Sequence, residues 1–339
     1  MKIYLFTDYK GYFGSKYDSI PYRSGFDKIK IFNYFSLHGF ECEFLSFCNL
    51  PPFEVLKNHY ILYTSSEDKG NFYKSYIEDI VLHLERSGIM IIPGFDFLKA
   101  HNNKVYMELL RKKLGHLWND TLRSQVFGTI EELEQEIDAI EFPIVVKKFD
   151  GSMSRGVFLA KNKKDLFDKA KAISSVRFLK EDIKDRLRPL RHKGYKFESL
   201  HRNKFIIQQF FPNLANDWKI LVYGKRLYIL TRHTRDNDFR ASGSHCNYLP
   251  GSKSKMPAGI LDFAMQVRDG LNVPHVSIDV VFDGEKFHLV EFQAIYFGTS
   301  TYNMSDVFFE KIGNEWQQFE NNLSIEQLFV DGICWFLDK

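Results

Sequence analysis

Apolar positions in the first hundred residues follow two rhythms. Short apolar runs at residues 2–7, 41–47, 60–64 and 89–92 have the length of strands. Between them, residues 25–37 and 71–87 repeat apolar side chains at helical spacing. The alternation predicts a small, mostly parallel sheet that receives ligands at the carboxyl ends of its strands. Two polar loops, residues 8–24 and 65–68, leave the sheet at that edge. Most residues in such loops only connect elements; some of these face a substrate if one binds there.

Beyond residue 100 the pattern changes. Residues 101–114 read as a helix, 142–149 and 157–160 as strands around a Gly/Ser-rich loop, and 164–173 as a helix. Residues 205–211 form a strand stopped by Pro212, and 217–222 with 226–232 form a hairpin turning at Tyr223-Gly224-Lys225. A helix over 257–271 leads into two apolar strands that meet at Asp283-Gly284, and 302–309 and 325–337 read as closing helices. Residues 176–204 carry ten Lys/Arg against four Asp/Glu and read as a solvated insertion.

The apolar pair at 276–298 holds Asp279 in one strand and Glu291 and Gln293 in the next. Carboxylates are costly in so apolar a setting unless something pairs with them, and a hard divalent cation does so. A two-residue loop at Asp283-Gly284 would set Asp279 opposite His288 and put the two carboxylates on opposite faces. A three-residue loop with Gly284 in the left-handed region would set Asp279 opposite Leu289 and Glu291 opposite Ser277. The carboxylates would then be diagonal neighbours on one face, shared by Gln293. We expect this second arrangement and a metal site; the plain alternative is a surface Asp and Glu on a half-buried hairpin.

Composition narrows the class. The chain has 339 residues, 44% hydrophobic and 26% charged, with 33 Phe, as a globular protein of two or three lobes would have. Its net charge of +3 is too small to argue for nucleic acid. Cys42, Cys48, Cys246 and Cys334 show no metal or redox spacing and read as reduced thiols in a cytoplasmic protein. No apolar run is long enough to cross a bilayer, so no membrane partner is expected.

Other residues suit anions. Lys104 near a helix N-terminus opposes the macrodipole unless it meets negative charge. The loop from Gly151 to Gly156, with Ser152 and Ser154, offers backbone N–H groups to phosphate oxygens, and Lys147 precedes it. It is neither a Walker A loop nor a dinucleotide fingerprint. Arg232, Arg235 and Arg240 crowd one polar segment and suit a carboxylate or a phosphoryl group, or pair with Asp236 and Asp238. No Ser/His/Asp or Cys/His arrangement is evident.

In this order the motifs resemble the ATP-grasp superfamily over roughly residues 98–300, nearest its glutathione synthetase-like and ribosomal-protein glutamate ligase-like branch. The resemblance implies an α+β and α/β fold: an N-terminal βαβ domain at 1–97 and an ATP-grasp domain at 98–339. Within the latter, a lid lobe spans about 143–211 and a metal-binding lobe 212–339, two α+β lobes sandwiching ATP. Lys104 and Lys147 would contact phosphates or adenine N7, and the 151–156 loop would close over the phosphates. Gln208, Gln209 and the Phe210 backbone would line the adenine slot, and Asp217 would hold the ribose or brace its hairpin. Asp279, Glu291 and Gln293 would hold two Mg²⁺, with Mn²⁺ the alternative ion. Arg240 would steady the transferring phosphoryl group, with Arg232 and Arg235 beside it. Two departures stand out: Gln293 replaces the usual Asn, and Gln209 the usual Glu. The activity implied is ligation of a small-molecule carboxylate to an amine; separately, the aromatic and hydroxyl residues of 8–24 suggest a polar, sugar-linked substrate, and a homodimer is expected. A kinase on the same site and a non-catalytic nucleotide-binding protein are the alternatives.

Overall fold

The computed structural model describes residues 2–15, 25–151, 156–234, 238–241 and 248–339. In chain order the strands are β1 Lys2–Thr7, β2 Glu41–Ser46, β3 Tyr60–Tyr63, β4 Met90–Ile92, β5 Ser124–Phe127, β6 Ile144–Lys148, β7 Val157–Ala160 and β8 Phe205–Gln209. They continue as β9 Asn216–Tyr223, β10 Arg226–His233, β11 Tyr248–Pro250, β12 His275–Phe282, β13 Phe287–Gln293, β14 Val307–Ile312 and β15 Glu315–Glu320. The helices are α1 Lys28–Leu37, α2 Phe53–Leu56, α3 Phe72–Arg86, α4 Phe95–Ala100, α5 Lys104–Leu114 and α6 Ile130–Glu136. After them come α7 Lys163–Ser174, α8 Leu179–Leu187, α9 Ile260–Leu271, α10 Ser300–Met304 and α11 Ile325–Leu337.

The chain divides into two compact units. One comprises Met1–His101, Leu110–Thr121 and Asn213–Lys339; the other comprises Asn102–Leu109 and Leu122–Pro212.

The first unit contains the expected parallel sheet, in the order β2-β1-β3-β4. Its helices start where local chemistry allows. The Asp27 side chain accepts from the N–H groups of Ile29 and Lys30 and so caps α1, which begins three residues later than its apolar spacing suggests. A second sheet runs β13-β12-β9-β10-β14-β15, with β11 also on β10. Helix α11 joins the two: Leu328, Val330 and Ile333 pack in one core with Ile3, Leu5, Ile31 and Phe35 and with Leu221 and Tyr223. Burying these nine side chains stabilises the unit by roughly 14–27 kcal/mol before entropy is counted.

The closing segment differs from expectation. Only Ser300–Met304 is helical, and Val307–Ile312 is a strand on β10 that turns into β15. Val307, Phe308 and Phe309 are all buried, as a strand in a sheet with β-forming side chains prefers. The turn is Gly313-Asn314, with Gly313 at φ 61°, the sign that the first position of a type II′ turn requires.

The second unit is an antiparallel sheet in the order β5-β8-β6-β7. Its inner face buries Val146, Ala160, Phe205 and Ile207 against Ile130 and Leu133 of α6 and Leu166 and Ala170 of α7. Residues 176–204 include the helix α8, which has no buried residue. Asp185 on α8 accepts from the Arg188 guanidinium and the Tyr195 hydroxyl, and this ties the helix to its own following loop.

Candidate active site

The carboxylate face lies on four neighbouring strands of the first unit. Asp279 on β12 pairs in register with Lys219 on β9 on one side and with Glu291 on β13 on the other. Asp217, two residues before Lys219 and so on the same face, sits opposite Arg232 on β10. Gln293 sits opposite Ser277, two residues from Glu291.

Asp279 and Glu291 reach one face by a route other than the three-residue loop. Phe282 pairs with Phe287, so the loop is the four residues Asp283–Lys286. The Asp283 carboxylate accepts from the N–H groups of Glu285 and Lys286 and holds the turn. That loop alone would misalign the carboxylates by one residue. A bulge restores the match: between the pairs Val280–Leu289 and Asp279–Glu291, Val290 is left without a partner strand residue. The two carboxylates are therefore directly opposed instead of diagonal.

Charges on this face are tightly coupled. The Arg232 guanidinium donates to both oxygens of Asp217, at 2.6 and 2.8 Å, and lies 3.0 Å from Asp279 Oδ2. Lys219 Nζ donates to Asp279 Oδ1 at 3.2 Å. Burial opposes ionisation of Asp279, but the charges of Arg232 and Lys219 win and hold its carboxyl well below the usual range. At Asp217 burial is the larger effect and pushes the carboxyl up against the pull of Arg232. Burial also disfavours the charged Arg232, and the two carboxylates more than offset it. Three carboxylates against two cations leave one negative charge on the face. Among the described residues no group of three or more His, Cys, Asp or Glu could hold a metal ion. A cation here would use the Asp279 and Glu291 carboxylates, the Gln293 amide oxygen and oxygens of a bound nucleotide, a donor set that suits Mg²⁺.

The arginines separate. Arg232 is enclosed by Asp217 and Asp279, whereas Arg240 donates to both oxygens of Asp238 at 2.8–3.1 Å. Arg235, Ser152, Ser154 and Cys246 lie outside the described residues.

The second unit holds the lysines. Lys104 begins α5; its backbone N–H donates to Phe149 O at 2.7 Å and its Nζ to Gly151 O at 3.2 Å. The Gly151 N–H in turn donates to Asn102 Oδ1 at 3.2 Å, so the start of the loop is pinned to the start of the helix. Gly151 and Gly156 have φ of 99° and 75°, a region that favours glycine. A Cβ on Gly156 would also lie 2.8 Å from Lys148 Cβ. The last pair across β6 and β7 is Lys147–Val157, and the Lys148 N–H donates to Gly156 O at 2.8 Å.

Lys147 is 7% exposed, and its Nζ donates to Gln208 Oε1 at 2.5 Å. Gln208 Nε2 donates to Glu108 Oε1 at 3.0 Å. Gln209, on the alternate face of β8, accepts from the Arg123 N–H at 3.4 Å, and Phe210 follows the strand end half-buried. Two residues of these clusters are absent from the sequence expectations. Glu108 lies four residues after Lys104 on the same helix face, and Lys219 alternates with Asp217 on β9; both spacings are visible in the sequence.

The family model for the RimK-like ATP-grasp domain matches residues 100–300. No curated protein matches the sequence. Among solved structures, a RimK domain protein ATP-grasp from Sphaerobacter thermophilus superposes with a TM-score of 0.52 at 14% identity, covering 98% of this chain and 99% of that one. The D-cycloserine synthetase DcsG gives 0.54 at 10% identity, with 98% and 99% covered. The ADP complex of the N5-carboxyaminoimidazole ribonucleotide synthetase purK gives 0.56 at 10% identity, with 98% of this chain and 76% of that one covered. The fold is thus the ATP-grasp fold over nearly the whole chain, and the chain belongs to the RimK-like ATP-grasp family of ATP-dependent ligases.

Proposed function

We propose that the protein joins a substrate carboxylate to an amine through an acyl phosphate, with release of ADP and phosphate. The carboxylate attacks the γ-phosphorus of ATP and ADP leaves; the amine then attacks the acyl carbon, phosphate leaves and the nitrogen loses a proton. Lys104 and Lys147 hold phosphate oxygens or adenine N7, and the 151–156 loop closes over the phosphates to exclude water from the acyl phosphate. Gln208, Gln209 and the Phe210 backbone border the adenine.

Asp279, Glu291 and Gln293 would hold Mg²⁺, which would supply positive charge to the triphosphate. Lys219 and Arg232 keep Asp279 ionised and aimed. Asp217 braces Arg232, since both its oxygens are engaged there. Arg240 turns from Asp238 to the transferring phosphoryl group. Tyr9 and Tyr12, 58% and 38% exposed just after β1, favour a polar, sugar-linked substrate. A homodimer in the cytoplasm completes the reading; among the described residues no helix is long and apolar enough to cross a membrane.

The observation that carries this proposal is the direct opposition of Asp279 and Glu291 on neighbouring strands of a charge-compensated sheet. The test is a screen of acid and amine pairs for ADP release. Release that requires both, trapped by hydroxylamine as a hydroxamate, supports ligation. A stable phosphorylated hydroxyl, inert to hydroxylamine, would make the protein a kinase.

A further inference from the structure

The strand β8 lacks an acidic residue: it reads Phe205-Ile206-Ile207-Gln208-Gln209, with amides at the two positions beside the lysine strand β6. Yet Lys147 is buried, and a buried ammonium needs a negative charge near it. Glu108 is 0% exposed and is the one acidic side chain buried in the second unit among the described residues. It lies on α5, one helical turn after Lys104, and not on the sheet that carries Lys147. The link between Glu108 and Lys147 is the Gln208 amide. Its oxygen accepts from Lys147 Nζ at 2.5 Å and its nitrogen donates to Glu108 Oε1 at 3.0 Å. Glu108 fixes the sense of that amide, because a flip would turn the NH₂ group on the ammonium and the carbonyl on the carboxylate.

We infer that Glu108 is a positioning residue for nucleotide binding: acting through Gln208, it holds the Lys147 ammonium where the nucleotide meets it. The inference rests on Lys147 being a nucleotide contact. Glu108 supplies from a helix the carboxylate that the strand does not carry, and Gln208 serves as a relay more than as a reader of the base. Without Glu108 the net charge rises, but the amide is free to rotate and the ammonium loses its stop. Misplacement outweighs the added charge, because a charge-assisted hydrogen bond fails within a fraction of an ångström.

The test is ADP affinity by calorimetry on the full chain, with thermal midpoints measured in parallel, for wild type, Glu108→Gln, and Glu108→Gln combined with Gln208→Glu. The double variant moves the carboxylate onto the strand, directly against Lys147. We expect Glu108→Gln to bind ADP about tenfold or more weakly and the double variant to return to within about threefold of wild type. A purely structural Glu108 would lower the thermal midpoint and leave affinity unmoved, or leave the double variant as weak as the single; either result overturns the inference. If Glu108→Gln does not fold, recovery of both fold and affinity in the double variant supports the inference, and failure to recover either one overturns it. Wild type failing to bind ADP would remove the nucleotide reading itself, and with it the role of Lys147.

Discussion

The carboxylate face and the lysine cluster solve opposite electrostatic problems by different means. On β9, β10, β12 and β13 the charges are paired across strands, and three carboxylates outnumber two cations by one. In the second unit two buried lysines outnumber one buried glutamate, and they are held by a backbone carbonyl and a side-chain amide. The first arrangement is locked by sheet register. The second depends on the pinning of Gly151 to the start of α5. In the proposed function the first would hold a metal ion and the second phosphate oxygens, the positioning that phosphoryl transfer requires.

The sharpest way to break this comparison is Asp279→Asn. It strips Lys219 of its carboxylate and Arg232 of one of its two, and leaving a buried charge unpaired costs about 3–5 kcal/mol. We expect a folding midpoint lowered by several degrees in thermal melts and turnover lost by at least about a thousandfold. Lys147→Met should leave the carboxylate face intact, with stability changed by less than about 2 kcal/mol, while ADP affinity falls at least about tenfold.

His275 probes the first unit away from the site. It is buried, neither ring nitrogen makes a well-formed hydrogen bond, and weak polar contacts with the Phe329 and Pro274 backbone only partly oppose the effect of burial. Burial pushes its pKa from 6.5 down to about 3. The folded protein therefore stays unprotonated there while the unfolded chain takes up a proton. Stability from this group is intact above pH 6.5 and is lost as pH falls from 6.5 towards about 3. At about 1.4 kcal/mol per pKa unit, the loss by pH 4 is roughly 3 kcal/mol. Denaturant titrations at pH 7 and pH 4 check it, and His275→Gln should remove this part of the slope.

Gly332 on α11 faces His275 and Gly224, and a Cβ there would lie 2.9 Å from the Gly224 backbone nitrogen. Gly332→Ala should destabilise by about 1–3 kcal/mol in urea unfolding. At the small end, Leu187→Ser on α8 should change stability by less than about 0.5 kcal/mol, since Leu187 is 55% exposed.

What was legible beforehand follows the strength of local signals. The βαβ rhythm, the β9–β10 hairpin and α11 announce themselves through apolar period and turn residues, and the structure agrees. The β14–β15 hairpin is hidden because Val307-Phe308-Phe309 also fits one face of a buried helix; only Gly313-Asn314 marks the turn. β5 has four residues and takes its place from pairing with β8. The common face of Asp279 and Glu291 could be anticipated, but its cause could not, since Val290 looks like any other strand residue and a bulge there carries no sequence mark. Enclosure of Arg232 by two carboxylates and the chain from Lys147 to Glu108 depend on which strands and helices become neighbours, and no local pattern encodes that.

The most direct test of the carboxylate face is Mn²⁺ binding in the presence of ADP, followed by electron paramagnetic resonance on wild type and Glu291→Gln. Glu291 is half-buried on β13, and its isosteric amide keeps the strand intact. The account predicts that wild type binds Mn²⁺ with ADP and that Glu291→Gln, at an unchanged thermal midpoint, binds it at least about tenfold more weakly. Equal Mn²⁺ affinity in the two proteins would contradict it.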